Sequence, residues 1–313
     1  MGIYTDKNKI CSLSEAVSQI SDGDIVAIGG NLSAREPMGL IREMIRQGKR
    51  ELHTIGGAHG IDIDLMCGAG IVKTVQNSYV GFEADFGLAP NYRRMVEQGV
   101  VTPKDTDCVA VLTHLRGAVF GVPFMPMTLV RGTDILKLNP EIKTMACPFT
   151  GEQVNLVPTI KPDFAVIHAH KADQKGNVKL LPPYFADLLV VEASKRSIVS
   201  VEEIVSEEEM CEIGATLPYY EITAVVELPY GAHPTSCYPD YTYDRGHMAE
   251  YVKLAQQGAD VFKEQYLDRY VSGPKDHKAY IESIGGLDRL SRLRDWNKGD
   301  EVWCSLLQAE AAC

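Results

Sequence analysis

The chain has 313 residues, of which 31 are Lys or Arg and 42 are Asp or Glu, so its formal net charge at neutral pH is -11. This acidity argues against a nucleic-acid-binding protein, because such proteins carry a basic surface patch. With 45% hydrophobic and 23% charged residues, the composition is that of a globular protein, which excludes the disordered and fibrous classes.

The eight cysteines are scattered along the chain, and none forms a Cys-x-x-Cys pair. This pattern argues against a zinc ribbon and against a disulfide scaffold, and it favours a reducing compartment. The first ten residues lack the apolar core of a signal peptide, and no run of 18 apolar residues occurs. We therefore expect a cytoplasmic protein with no membrane span.

The first hundred residues alternate between helix and strand patterns. Ser12 and Glu15 have the spacing of a capping box, and Pro37 suits the first position of a helix that ends before Gly48. In chain order, the predicted elements are a helix at 12–20, a strand at 24–28, a helix at 38–47, strands at 52–55 and 71–76, and a helix at 90–98. Strands that alternate with helices indicate a parallel sheet covered by helices.

The middle of the chain continues this pattern with longer loops. Pro123 and Pro126 exclude a regular helix there, and turn residues within 143–157 suggest a hairpin. The other predicted elements are a helix at 106–120, a strand at 164–168, a helix at 187–193, and strands at 197–201 and 222–228. From about residue 246 helical periodicity takes over. We predict an open three-layer α/β/α sheet domain at 1–245 with a helical C-terminal extension at 246–313 packed on it.

Two groups of glycines follow predicted strands, at Gly29-Gly30 and at 56–60. Open α/β sheets bind ligands at the carboxyl ends of their strands, and free backbone N–H groups beside glycine can meet an anion or an oxyanion. We therefore predict that Gly29, Gly30 and Asn31 border an active site, although glycines can also simply turn the chain. Neither a GxGxxG fingerprint nor a P-loop is present.

Residues 22–37 resemble the signature of the A subunit of family I coenzyme A transferases. Asn31 and Arg35 depart from the generic signature, which has Phe and Gly there. The ending from Arg35 to Pro37 is nevertheless typical of the glutaconate CoA-transferase branch and of related steroid-ring hydrolases. Further segments similar to the glutaconate branch are 56–58, 92–99, 122–128, 167–169, 229–234, 237–238 and 275–277, so the resemblance spans nearly the whole chain.

This resemblance implies a sheet domain that works with a B subunit of similar fold. In the family, the nucleophile is a glutamate of the B subunit within a Ser-Glu-Asn-Gly or related motif, and this sequence has no such motif. No catalytic residue is therefore expected in this chain. The implied reaction moves CoA between an acyl-CoA and a carboxylic acid, which can be a glutaconate-like dicarboxylate, through a glutamyl-CoA thioester. The CoA thioester is a substrate, and no permanently bound cofactor is expected.

The candidate substrate-binding residues are Gly29, Gly30, Asn31, Arg35, Gly57 and Glu83. Arg35 has two interpretations, since it can pair with a substrate carboxylate or form a structural bond to the following turn. Glu83 stands where the matching stretch of glutaconate transferases has a serine that helps to hold the substrate carboxylate. A glutamate there changes the charge of the pocket, and we predict that Glu83 sets acid specificity. The alternatives are that it binds a hydroxyl or an amine on a different acid, or that it faces solvent.

Three other interpretations depend on few residues. His168 and His170 fall on one face of a strand, but no further ligand has a suggestive spacing, so no metal site is predicted. An acyl-CoA hydrolase of the ring-cleaving type is the alternative function. Cys108 occupies the position where that branch has an acidic residue, and a thiol is a poor base for water, while Asp107 would point elsewhere. A sugar-phosphate-binding regulator lacks support because no helix-turn-helix segment precedes the domain.

Overall fold

The computed structural model describes residues 8–295, which form eleven strands and thirteen α-helices. The strands are β1 (Ile25–Ile28), β2 (Leu52–His59), β3 (Val72–Val80), β4 (Thr102–Pro103), β5 (Phe124–Met127), β6 (Lys143–Ala146), β7 (Gln153–Pro158), β8 (Phe164–Ala172), β9 (Val178–Lys179), β10 (Arg196–Ile204) and β11 (Ala224–Glu227). The helices are α1 (Leu13–Ser18), α2 (Met38–Arg46), α3 (Ile61–Gly68), α4 (Glu83–Phe86), α5 (Pro90–Glu97), α6 (Cys108–Phe120), α7 (Ile135–Leu138), α8 (Asp187–Ala193), α9 (Glu207–Ile213), α10 (Arg245–Gln256), α11 (Ala259–Phe262), α12 (His277–Ser283) and α13 (Gly286–Arg294), with a 3₁₀ turn at Tyr219–Glu221 and a π-helical segment at Lys263–Ser272.

Seven strands form a parallel sheet in the order β11-β10-β8-β1-β2-β3-β4, and β9 pairs antiparallel with β8. From β1 the chain builds outward through β2, β3 and β4, and it then returns to the other side of β1 with β8, β10 and β11. The direction in which successive strands are added to the sheet therefore reverses between β1 and β8. Such a switch point leaves a crevice at the carboxyl ends of the two strands, where open α/β sheets bind their ligands.

Helices cover both faces of the sheet, which confirms the predicted three-layer α/β/α class. Val26 and Ile28 point to a core shared with α1, α2 and α3, whereas Ala27 points to a second core shared with α6 and α8. Alternate residues of a strand face opposite sides of the sheet. Because β1 is covered on both faces, it consists of apolar residues without polar alternation.

Capping residues mark the starts of two helices. Ser12 caps α1 as a complete capping box with Glu15, and Asp107 caps α6 by accepting the Ala110 N–H. Pro37 lies one residue before α2 instead of inside it. The hairpin predicted at 143–157 is confirmed as β6 and β7, and β5 joins it as a third antiparallel strand.

Gly56 and Gly57 lie within β2, so the prediction that the second group of glycines follows the strand is wrong for these two residues. β2 continues through Gly56 and Gly57, and its pairing with β3 extends to Ala58 opposite Tyr79 and His59 opposite Val80. The ladder of hydrogen bonds to β3 holds the extended backbone there despite the low strand propensity of glycine. The side chain of His59 thereby projects from the carboxyl end of a regular strand.

The helices from α10 onward pack on the same core as α1, α2 and α3. Tyr251 of α10 and Tyr280 of α12 are fully buried in that core, and the Tyr251 hydroxyl donates to Asp64 Oδ2 of α3 at 2.6 Å. The helical pattern predicted for 248–270 is interrupted at Gly258, which has a φ of +111°. The boundary between 1–245 and 246–313 stays a prediction, and residues 296–313 lie outside the described part. Among residues 8–295, no helix is long and apolar enough to cross a membrane.

Candidate functional site

The loop after β1 lies at the switch point, and its two glycines are buried. Gly30 has a φ of +83°, and a Cβ on it would lie 2.6 Å from the Arg35 carbonyl. A Cβ on Gly29 would lie 2.5 Å from Ile167 and 2.6 Å from Asp187 Oδ1. Both positions thus require glycine because protein atoms pack against them. Direct contact of Gly29 or Gly30 with a substrate stays a prediction.

The backbone N–H groups of this loop are engaged within the protein. Gly29 donates to a carbonyl of β8 at 3.0 Å, and Gly30 donates to Asp187 Oδ1 at 2.9 Å. Asn31 donates to the Ala34 carbonyl at 2.8 Å. The prediction that these N–H groups are free to meet an anion is therefore wrong. The surface of the loop is the half-buried turn from Asn31 to Ala34, so Asn31 is the one member of the three that is not buried.

Arg35 lies behind the loop, with only 2% of its surface exposed. Its Nη2 donates to Asp187 Oδ2 at 2.8 Å and to the Pro183 carbonyl, and its guanidinium lies 5.5 Å from the centre of the Phe185 ring. The structural bond is therefore present, although it is made to α8 and its preceding loop and not to the following turn. Nη1 is buried without a partner among the described residues, and a substrate role for Arg35 stays a prediction.

The two glycines within β2 differ in their surroundings. A Cβ on Gly56 would lie 2.5 Å from His59 Nε2 and 2.9 Å from Asn77 Nδ2, whereas nothing lies within 4 Å of a Cβ on Gly57. Gly57 is half-buried. Gly56 is therefore required by packing, and Gly57 faces open space, while its place at a substrate surface stays a prediction.

A buried acidic pair supports the carboxyl end of β2. Glu36 accepts the N–H groups of Gly60 and Asp62, and Asp62 accepts a hydrogen bond from His59 Nδ1. Burial, together with the neighbouring Asp62 charge, raises the pKa of Glu36 well above its usual range. Two adjacent buried carboxylates repel each other when both are charged, and this favours the protonated form of Glu36. These acids are bound inside the fold and are not exposed nucleophiles.

A cavity of about 250 Å³ opens beside the loop after β1. Glu83, the first residue of α4, lies in its wall, is exposed, and has a φ of +50°. The lining residues are Leu32, Ser33, Gly60, Gly81, Phe82, Glu83, Asp85, Phe86, Tyr243 and Met248. The cavity therefore brings Glu83 into the same site as the turn that follows Gly30, and its role in acid specificity stays a prediction.

The ring nitrogens of His168 and His170 are occupied by protein partners. His168 bonds Ser200 Oγ at 2.9 Å and Glu202 Oε1 at 2.8 Å. His170 accepts a backbone N–H at Nδ1 and donates from Nε2 to the Tyr238 carbonyl at 2.8 Å. Within residues 8–295, His168, Glu202 and Cys237 come close enough to share an ion, but the bonds on the ring leave His168 no free lone pair for a metal.

Two members of the site were missed by sequence reasoning. Asp187 holds both Gly30 and Arg35, yet its only signal is an acidic residue at the start of a predicted helix. Tyr243 lines the cavity from just before α10, in a stretch without a recognisable pattern. Both reach the site only because distant segments pack together in the fold.

Comparison with known proteins places these features in a family. The family model for coenzyme A transferase matches residues 10–228. The A subunit of glutaconate CoA-transferase from Acidaminococcus fermentans is 32% identical over 306 residues, which cover 92% of this chain and 95% of that protein. The crystal structure of glutaconate CoA-transferase from the same organism superposes with a TM-score of 0.87, over 91% of this chain and 95% of the other.

Two further relatives differ in length or in name. An uncharacterised protein of Archaeoglobus fulgidus is 36% identical over 92% of this chain, and the match spans only 64% of that longer relative. The cholesterol ring-cleaving hydrolase IpdA subunit of Rhodococcus jostii is 30% identical over 88% of this chain and 95% of that protein. The chain belongs to the coenzyme A transferase family, within which it is similar to the A subunit of glutaconate CoA-transferase.

Proposed function

We propose that this chain is the A subunit of a heteromeric CoA-transferase that moves CoA from an acyl-CoA to a free carboxylic acid. The observation that carries the proposal is the end-to-end similarity, in sequence and in structure, to a relative that is named as such a subunit. The cavity beside the switch point supports it, because this edge of an open α/β sheet is where ligands bind.

In the proposed reaction, a glutamate carboxylate of the B subunit attacks the thioester carbonyl of the acyl-CoA. A mixed anhydride forms, and CoA leaves as its thiolate. The thiolate then attacks the glutamyl carbonyl of the anhydride, which gives a glutamyl-CoA thioester and releases the first acid. The acceptor acid reverses these two steps through a second mixed anhydride, so the free energy of the thioester is kept and is not lost to water.

The positions of four carboxylates in this chain support the proposal that the nucleophile belongs to the B subunit. Glu36, Asp62 and Asp187 are fully buried and are held by backbone N–H groups or by Arg35. Glu83 is exposed in the cavity, where we assign it a binding role below. The proposed contribution of this chain is to bind and orient the acid, which lowers the entropic cost of the attack.

Exposed apolar side chains on the small sheet of β5, β6 and β7 support the proposal of a partner subunit. Phe124, Leu129 and Met145 are exposed by about two fifths to one half, and Phe149 is 94% exposed. Exposed apolar side chains in one region commonly mark a protein interface. In a complex they would be covered by the B subunit, which agrees with the predicted hetero-oligomer.

The hydrolase alternative requires an acid placed to activate water. The Asp107 carboxylate caps α6 through the Ala110 N–H, and Cys108 is exposed with its Sγ donating to Ser78 Oγ at 3.2 Å. One oxygen of the Asp107 carboxylate is engaged as the helix cap, and a thiol is a poor base for water. These contacts favour transfer over hydrolysis.

The proposal is tested by assaying CoA transfer with this chain alone, with the B subunit alone, and with both. We expect turnover only with both subunits, because the nucleophile and the acid-binding cavity lie on different chains. Full turnover by this chain alone would overturn the proposal.

A further inference from the structure

The cavity beside the loop after β1 combines aromatic walls with negative charge. Phe82, Phe86 and Tyr243 contribute rings, and Glu83 and Asp85 contribute carboxylates. Among residues 8–295, no Lys, Arg or His lines it. A site built for a second substrate carboxylate would present a cation, often an arginine, so the lining is unsuited to a dicarboxylic acid.

The charge of Asp85, one of the two acids, is already offset by neighbouring groups of the protein. Asp85 accepts a hydrogen bond from the Tyr243 hydroxyl at 3.0 Å and lies 3.9 Å from Arg245 Nε. The Arg245 guanidinium also lies 5.1 Å from the centre of the Phe86 ring. Arg245 is not part of the lining, and it lies between the Asp85 carboxylate and the Phe86 ring, an arrangement that is favourable for cations in general.

The charge of Glu83, the other acid, is not offset in this way. The Glu83 backbone N–H donates to the Tyr79 hydroxyl at 3.3 Å, but within the described part of the chain the Glu83 carboxylate has neither a hydrogen bond nor an ion pair. The charge of the Glu83 carboxylate is consequently not offset by a cation among residues 8–295. A carboxylate at the far end of a bound acid would be repelled by it, whereas an ammonium group would be attracted and could also contact the aromatic rings.

We propose that the acid handled by this enzyme carries an ammonium group at its far end, so that the substrate class is the ω-amino acids. In this arrangement the Glu83 carboxylate pairs with the ammonium group in the cavity, and the reacting carboxylate points out of the cavity toward the glutamate of the B subunit. The inference rests on the proposed function for the identity of the reaction, and on the cavity itself for the identity of the ligand.

Three acceptor acids of equal chain length test this substrate class: 5-aminopentanoate, pentanoate and pentanedioate. With the reconstituted complex, we expect kcat/KM for 5-aminopentanoate to exceed that for pentanoate by about tenfold and that for pentanedioate by more, in line with one charge-assisted hydrogen bond. Equal or better use of pentanedioate would overturn the inference.

The Glu83→Gln variant tests whether the preference for 5-aminopentanoate depends on the Glu83 carboxylate. It keeps the size of the side chain and removes its charge, so we expect the ratio of kcat/KM between 5-aminopentanoate and pentanoate to fall by about tenfold. Glu208→Gln is the matched control, because Glu208 is an exposed glutamate of α9 outside the cavity. An unchanged ratio in Glu83→Gln, or loss of transfer to all three acids as expected of a nucleophile, would overturn the inference.

Binding of 5-aminopentanoate to the complex, measured by calorimetry, separates this inference from the proposed function. We expect Kd to rise about tenfold in Glu83→Gln and to stay unchanged in Glu208→Gln. If no acid accepts CoA but this binding difference is found, the proposed function fails and the ligand assignment stands. If transfer occurs and the binding difference is absent, the ligand assignment fails alone.

Discussion

Arg35 and Asp187 form a buried ion pair, with Nη2 and Oδ2 2.8 Å apart and both side chains at most 3% exposed. Asp187 also accepts the Gly30 N–H. One carboxylate at the start of α8 therefore fixes both the glycine loop after β1 and the arginine behind it. The shape of the turn that borders the cavity thus depends on a residue more than 150 positions away in the sequence.

A double-mutant cycle tests the coupling in this pair. Arg35→Met or Asp187→Asn alone should lower the free energy of unfolding by about 3 kcal/mol, because each leaves a buried group without its partner. The double variant should lose less stability than the sum of the two single losses, by at least about 1 kcal/mol, because it leaves neither buried charge without its partner. Urea unfolding measures both quantities, and strictly additive losses would contradict the pairing.

Two alanine substitutions compare the glycines of the site. Gly30→Ala should lower the free energy of unfolding by about 1–3 kcal/mol, because the residue has a positive φ and its Cβ would meet the Arg35 backbone at 2.6 Å. Gly57→Ala should change it by no more than about 0.5 kcal/mol, because its Cβ enters open space. We expect Gly57→Ala to reduce transfer activity all the same. Equal destabilisation in the two variants would be evidence against this description of the loop.

The link between α10 and α3 should be visible in stability. Tyr251→Phe removes the hydroxyl that donates to Asp64, and we expect a loss of about 1–2 kcal/mol in the free energy of unfolding. Tyr280→Phe removes a comparable buried hydroxyl, which bonds His233, and serves as a control within the same core. An undiminished urea midpoint in Tyr251→Phe would show that this contact does not hold the helix.

Asp64 should also shape the pH dependence of stability. Burial raises the pKa of Asp64 to about 6, partly offset by hydrogen bonds from Tyr251 and Asn91 and from the backbone of Tyr92. A raised carboxyl pKa means that the folded state binds the proton more tightly than the unfolded chain, so this contribution is present below about pH 4 and is lost as pH rises to about 6. Comparing urea unfolding of the protein with that of Asp64→Asn across this range isolates the effect, and identical slopes would contradict it.

His170 should change the pH dependence of stability in the opposite direction. Burial lowers the pKa of His170 to about 4, so its neutral form stabilises the folded state above the ordinary histidine pKa and is lost as pH falls from about 6.5 toward 4. His170→Gln keeps a donor and an acceptor but does not titrate. Between pH 7 and pH 5, the protein should lose about 2 kcal/mol more stability than this variant. Parallel unfolding curves at the two pH values would refute the assignment.

The sequence predicts the parts of the fold that depend on neighbouring residues. A buried apolar run that ends in Gly29 and Gly30 predicts a strand and the loop after it, and Ser12 with Glu15 predicts a capped helix. For Gly56 and Gly57 the low strand propensity of glycine predicts the end of the strand, and the pairing with β3 keeps them extended. Local composition cannot report such pairing.

The candidate site was less accessible to sequence reasoning for a similar reason. Asp187 reaches Gly30 because β8 pairs with β1, so that the loop and helix after β8 come back over the glycine loop. Glu83 and Tyr243 meet in one cavity although 160 positions separate them. Electrostatic balance in such a site depends on distances in space, such as that between Asp85 and Arg245, and these become known only with the fold.

The most direct test of the account is the dependence of CoA release on an acceptor acid. The reconstituted complex is given an acyl-CoA with and without a second carboxylic acid, and free CoA and the new acyl-CoA are quantified. We predict that the new acyl-CoA forms in step with consumption of the donor, and that little free CoA accumulates when the acceptor is absent, because the thioester stays on the enzyme. Release of free CoA at the same rate without an acceptor would mean hydrolysis and would contradict the assignment as a transferase.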